Sequence, residues 1–351
     1  MPATPFDHPL LSGLLGDDEV ARQFSAEAEI DAMRHFEAAL ARAEAAEGLI
    51  PEAAAEAISR ACAFAPDFEA LGAGATRDGV IGPDLVKQLR RHVPAPHDQW
   101  LHFGATSQDL ADTSLVLRLR PLLPLFDARL AAVEAALDDL VRRFDARPLM
   151  AHTRMQPAIP ITVGDRLAAW RGPLPRHRRR LAELTPRLLV LQFGGAAGTR
   201  DKLGDKGDAV ARRLAEALGL GLPDRPWHTQ RDSPAEFAGW LSLVTGSLGK
   251  IGIDIALMAE LGEVALADGG TSSAMPHKQN PVGAEVLVAL ARHNATLLSG
   301  MHQALVHEQE RSGAAWTLEW LTLPQMVVTT AASVRSASTL LGGITSMGKR
   351  P

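Results

Sequence analysis

The stretch from Pro234 to Leu266 reads PAEFAGWLSLVTGSLGKIGIDIALMAELGEVAL. Apolar and small residues fall on every face at helical spacing, and the only charges are Glu236, Lys250, Asp254, Glu260 and Glu263. A helix that is apolar all round offers no face to water, so it belongs inside a large bundle or between subunits. The pattern predicts an all-α chain built on a central long-helix bundle. Composition agrees: Ala and Leu dominate, β-branched runs are short, and aromatics make up only 5%.

Working outward, helical periodicity covers 163–189, with Pro173, Pro175 and Pro186 in it, and 107–147, which Pro121 and Pro124 are expected to kink. Downstream, 281–311 and 321–341 complete the set. Nearer the N-terminus, helices are expected over 20–47, 51–62 and 83–92, with 72–82 as a loop. Pro94 and Pro96 mark a boundary. The expected organisation is an N-terminal helical domain over 1–96, the bundle over 97–342 and a short tail over 343–351.

Several function classes drop out on composition. A net charge of -5 gives no field for nucleic acid, so any anion site is local. One cysteine, Cys62, excludes a disulfide framework or a cysteine-based zinc site, and the absence of tyrosine removes any phenolic acid or base. Residues 1–15 lack a basic region followed by an apolar stretch, and no uncharged apolar run of about twenty residues occurs. These readings predict a cytoplasmic protein that meets neither nucleic acid nor membrane. The basic run 176–180 has no aromatic interleaving and reads as a solvated helix face.

Four polar segments punctuate the helices. In the first, 101–109, Thr106 and Asp109 have the spacing of a capping box, and Ser107 offers a hydroxyl at a helix N-terminus, where a carboxylate can dock. The second, 151–158, places His152, Arg154 and Gln156 together, and an arginine can grip a carboxylate with two hydrogen bonds. The third, 227–234, carries Arg231 just before a helix. The fourth is Gly269-Gly270-Thr271-Ser272-Ser273-Ala274-Met275-Pro276-His277-Lys278-Gln279-Asn280-Pro281. Its glycines, hydroxyls and cation suit an anionic ligand, and Asn280-Pro281 reads as N-cap and first helical residue. There is no nucleophile elbow, Walker loop or complete Gly-x-Gly-x-x-Gly, and no metal site is expected. Such parts suit stabilising a carboxylate that gains charge when a proton leaves the adjacent carbon.

Ser272 to Pro281 resembles the signature loop Gly-Ser-Ser-x-x-Pro-x-Lys-x-Asn-Pro of the fumarase/aspartase superfamily, with Thr271 between Gly270 and the serine pair. Residues 102–109, 151–158 and 194–199 resemble further regions of that group. The resemblance implies the L-aspartase/fumarase-like fold, a homotetramer with active sites shared between subunits, a small polycarboxylate substrate and no cofactor. It implies Ser272 as proton carrier, with Lys278 and His102 beside it. Thr106, Ser107, Gln108, His152, Arg154, Gln156, Arg231, Ser273, Met275 and Asn280 are implied substrate-binding residues; His102 is expected to hydrogen-bond or shuttle a proton. A family member's third helical domain is expected to be absent or vestigial after 342.

Within the superfamily, C–N lyases such as adenylosuccinate lyase normally read Arg-Thr-His-x-Gln in the second region, whereas this chain reads His152-Thr153-Arg154-Met155-Gln156. A guanidinium cannot donate the proton that an amine leaving group needs. A lactone-forming cycloisomerase, whose leaving group is a carboxylate, tolerates that loss, so the exchange favours it. A fumarate-releasing C–N lyase and a catalytically retired structural or binding protein are the alternatives.

Overall fold

The computed structural model describes residues 4–267, 269–271, 275 and 279–348. Two one-turn helices, α1 (Ser12–Leu15) and α2 (Asp18–Ala21), lead into α3 (Ala26–Ala46). Then come α4 (Glu52–Ala61), α5 (Phe68–Asp78), α6 (Gly82–Arg90), α7 (Ser107–Leu119) and α8 (Leu122–Phe144). A hairpin of β1 (Pro148–Thr153) and β2 (Gln156–Thr162) precedes α9 (Val163–Arg171), α10 (Pro173–Leu188) and α11 (Gly207–Leu218). The remainder is α12 (Asp232–Glu260), β3 (Val264–Leu266), β4 (Gly270–Thr271), β5 (Gln279–Asn280), α13 (Val282–Gln303), α14 (Gly313–Gly342) and β6 (Ile344–Met347).

The apolar run is α12, about 43 Å long at 1.5 Å per residue. It packs against α13, α14 and α10, and α14 packs against α8. Two of its glycines set the closeness of α13. A Cβ at Gly252 would lie 2.6 Å from the Ala284 carbonyl oxygen, and one at Gly249 2.5 Å from Ala291 Cβ. Phe237, Leu248, Ile251 and Ile255 of α12 are fully buried with Phe126 of α8, Leu287 of α13 and Val327 of α14. Trp240 meets Phe126 edge-on at 5.5 Å and donates to the His177 carbonyl at 2.9 Å. By length and composition α12 could cross a membrane, yet 56% of its most apolar window is buried within this chain, as befits a bundle strut. Leu243 and Ile253 remain exposed on its outer side.

A second core joins α3, α4, α6 and α7 through Phe36, Ile58, Leu85, Leu89 and Leu110. Helix α11, although it lies far along the chain, contributes Val210 and Leu214 to this core. Helix α7 serves both, with Leu119 in the bundle and Val116 in the N-terminal core.

Several local expectations are corrected. The loop expected over 72–82 is mostly α5, capped by Asp67 accepting from Ala70 N–H at 3.0 Å and ended by Gly79 at φ 72°. Its Gly74 is a packing residue, since a Cβ there would meet Asp84 at 2.7 Å. The helix expected over 20–47 breaks at Ser25, whose hydroxyl caps α3. Pro121 divides α7 from α8 rather than bending one helix. Residues 344–347, expected as a tail, pair antiparallel with β3.

Candidate active site

Asp109 organises the first polar segment. Its carboxylate is wholly buried at the start of α7 and accepts five hydrogen bonds. Oδ2 takes the Thr106 N–H at 3.0 Å and the Gly195 N–H at 2.8 Å. Oδ1 takes the Gly194 N–H and His228 Nε2, both at 2.8 Å, and Gln192 Nε2 at 3.3 Å. The capping residue read from the sequence thus also gathers the glycine-rich segment and the segment holding His228. Gly195 has φ 68° and approaches so closely that a Cβ would sit 2.7 Å from the Gly104 carbonyl oxygen. No side chain fits there.

Two residues expected to hold substrate are already engaged. Arg231 pairs with Asp112 at 2.7 and 3.1 Å and with Glu319 at 2.8 and 2.5 Å, and its side chain is 1% exposed. Burial works against its charge, but Asp112 and Glu319 outweigh it and raise the guanidinium further above its ordinary value. Burial pushes Glu319 up, even with Arg231 beside it. Arg231 is therefore an internal ion-pair hub and not a free anion ligand. Gln108 is equally enclosed: it donates to the His228 carbonyl at 2.9 Å and to Asp112 at 3.2 Å, and accepts from Arg311 Nε at 3.0 Å. With its polar atoms spent, Gln108 is corrected to a structural link.

Thr106 and Ser107 keep partial exposure at the α7 N-terminus. Ser107 lines a cavity of about 500 Å³ with Gly82, Asp112, Glu319 and Trp320. Arg311, which sequence reasoning placed only as the end of a helix, reaches the same region and donates to the Ala196 carbonyl at 3.1 Å. The only signal for it was its charge.

His102 has φ 59°, and its Nδ1 lies 2.5 Å from Glu37 Oε1. Burial opposes its protonation, while Glu37 and, more weakly, Asp109 favour it; the balance raises its pKa above the ordinary value. Glu37 thus favours the charged imidazole ring and occupies its Nδ1.

His152, Arg154 and Gln156 lie on the β1–β2 hairpin, an element the sequence reading did not foresee. Arg154 (φ 48°) and Met155 (φ 63°) form its tight turn, which requires left-handed backbone at both central positions. His152 and Arg154 open on a second cavity of about 660 Å³ that also meets Arg166, Lys250 and Glu263. This cavity shares no lining residue with the one beside Ser107.

Asn280 is paired with Gly270 in a two-stranded ladder, and α13 starts at Val282 after Pro281. The expected N-cap at Asn280 is therefore displaced by one residue to Pro281, because Asn280 is held as strand. Met275 is exposed. Ser272, Ser273 and Lys278 lie outside the described residues. Among the described residues, no group of three His, Cys, Asp or Glu side chains is placed to hold a metal.

A protein-family profile described as lyase matches residues 17–293. The chain is 46% identical over 330 residues to the 3-carboxy-cis,cis-muconate cycloisomerase of Pseudomonas aeruginosa, covering 92% of this chain and 72% of that protein. It is 41% identical over 345 residues to the protein of that name from Bradyrhizobium diazoefficiens, covering 96% and 76%. Among solved structures, the 3-carboxy-cis,cis-muconate lactonizing enzyme from Pseudomonas putida superposes with a TM-score of 0.90 at 43% identity, covering 97% of this chain and 77% of that one.

Proposed function

The chain belongs to this lyase family, with the all-α fumarase/aspartase fold, and on that premise we propose that it interconverts 3-carboxy-cis,cis-muconate and its lactone, 4-carboxymuconolactone. The observation that carries the reading is that relatives bearing the cycloisomerase name are 41–46% identical over 92–96% of this chain. In the closing direction one carboxylate adds to a carbon of a C=C bond, and the carbon next to another carboxylate takes up a proton. The reverse removes that proton and expels the carboxylate. Such a step belongs to protocatechuate breakdown.

The substrate carries three carboxylates, so the site needs several fixed donors and one proton carrier. We assign the proton to Ser272, whose alkoxide would be stabilised by N–H groups of its own loop and by Lys278. Thr106, Ser107, Ser273, Met275 and Asn280 would bind the substrate from the α7 start and the signature loop, with Arg311 added. Arg154, His152 and Gln156 would supply the hairpin's share. Arg154 supports lactonisation over amine release, because a guanidinium holds a carboxylate but donates no proton at neutral pH.

A homotetramer with shared sites accords with two features of the single chain. Leu243 and Ile253 stand exposed on the outer side of α12. The hairpin and the α7 start also open on separate cavities, so one site drawing on both needs more than one subunit.

The purified protein should change the ultraviolet absorbance of 3-carboxy-cis,cis-muconate and leave adenylosuccinate untouched. Fumarate release from adenylosuccinate without muconate turnover would overturn this reading in favour of a C–N lyase.

A further inference from the structure

Helix α3 carries two carboxyl groups two turns apart, Glu37 and Glu44, into the N-terminal core, where both are buried. Neither oxygen of Glu44 has a hydrogen-bond partner among the described residues. Burial and the neighbouring Glu37 push Glu44 up to about 9 and the Cys62 thiol up to about 12. Both are therefore neutral at pH 7. Glu37 differs in having a partner: Oε1 meets His102 Nδ1 at 2.5 Å, while Oε2 meets none among the described residues. A buried carboxylate with one hydrogen-bonding partner relies on that partner for its charge compensation.

The partner is itself held in a costly backbone conformation. His102 at φ 59° occupies the left-handed region, which persists only where surrounding contacts over-determine it. The Arg90 guanidinium on one side donates to the Leu101 carbonyl at 3.3 Å. On the other side Gly104 (φ 72°) turns the chain towards the α7 cap, with Leu203 filling the space a side chain would need. With Nδ1 engaged, the imidazole has one nitrogen left, Nε2, on a side chain that is 16% exposed.

We propose that Glu37 is a positioning residue that holds His102 as a fixed imidazolium, so that Nε2–H grips a substrate carboxylate instead of moving a proton. This rests on reading residues 102–109 as part of the carboxymuconate site. The groups facing His102 are Glu37 from α3, Asp109 from α7 and Arg90 from α6; the carboxylates favour its charge and the arginine opposes it. A histidine raised in this way keeps its charge to higher pH than an ordinary imidazole and loses it as pH rises through the raised value. Removing Glu37 moves that loss to lower pH.

The test uses the full-length protein with Glu37→Gln, Glu37→Asp and His102→Gln. By NMR, with the His102 resonance assigned from its loss in His102→Gln, Glu37→Gln should weaken the proton affinity of His102 about tenfold or more. Steady-state kinetics on 3-carboxy-cis,cis-muconate should show KM about tenfold higher for Glu37→Gln, with a smaller change in kcat, as expected when a binding contact is lost. The alkaline limb of kcat/KM should move to lower pH, Glu37→Asp should recover part of both, and Glu37→Gln should add nothing in a His102→Gln background. An unchanged His102 titration, a fall in kcat at constant KM, or an equal effect of Glu37→Gln without His102 each overturns the proposal. Failure of the wild type to turn over the muconate would refute the proposed activity instead, and the titration would still decide whether Glu37 holds His102 charged.

Discussion

Asp109→Asn is the most informative single change, because it alters one heavy atom and leaves the shape intact. The carboxylate accepts three donors on Oδ1 and two on Oδ2, all in a buried site. An asparagine turns one oxygen into an NH₂ group, so in either orientation at least two buried N–H donors face another donor. Each buried group left unsatisfied costs about 1–3 kcal/mol, so the change should destabilise the fold by about 2–6 kcal/mol. Urea unfolding followed by circular dichroism, at one fixed protein concentration because assembly contributes to stability, measures the loss. Asp208→Asn, at an exposed residue paired with Arg200, is the control and should stay within about 0.5 kcal/mol of wild type. Turnover should also fall, since the cap and the glycine-rich segment lose a common anchor, and misplacement of about 1 Å can cost about 10²-fold. If Asp109→Asn unfolds within about 0.5 kcal/mol of wild type, the assignment of Asp109 as the clamp of this region is wrong.

Arg231→Met keeps much of the volume but leaves Asp112 and Glu319 buried without their cation, so a loss of about 3–5 kcal/mol is expected. A thermal melt indistinguishable from wild type would contradict the hub. Ser272→Ala should lower muconate turnover by about 10²–10⁴-fold with an unchanged melt, and full activity would remove Ser272 from proton transfer. The raised Glu44 makes the folded chain keep, between 4.5 and about 9, a proton that the unfolded chain has already released. Stability should therefore fall as pH rises through that window, by up to about 1.4 kcal/mol per pH unit, and Glu44→Gln should flatten this slope. Parallel pH–stability curves for the two proteins would show that Glu44 is not held neutral.

The long helices were legible because their apolar periodicity is local and repeated over many turns. Helix α12 starts two residues before the expected Pro234 and ends at Glu260, six residues short of the expected Leu266, because Val264–Leu266 pair as β3 with β6. The capping role of Thr106 and Asp109 follows from spacing alone. Short-range signals misled where tertiary contact outweighed them. Gly72 and Gly74 suggested a loop, yet α5 forms because Gly74 lies against Asp84 and Asp67 caps the first turn. The β1–β2 hairpin escaped notice because its turn uses Arg154 and Met155, which carry no turn signature, at positive φ.

By itself, the order of residues determined the all-α class, the long central helix and the family signature in 272–281. These depend on periodicity and on a contiguous motif. Which polar residues face a ligand was decided only in three dimensions. Glu37 and Asp112 lie within stretches expected as helices and Glu319 between two of them, with nothing in the local pattern to single them out, and Arg231 read as an anion ligand. Folding brings Asp112, Arg231 and Glu319 together across 119 and 88 residues of chain and buries them, and it sets Glu37 against His102 across 65. A charge taken out of water must find its counter-charge, and the partner it finds depends on how the helices pack, which no local stretch of sequence records.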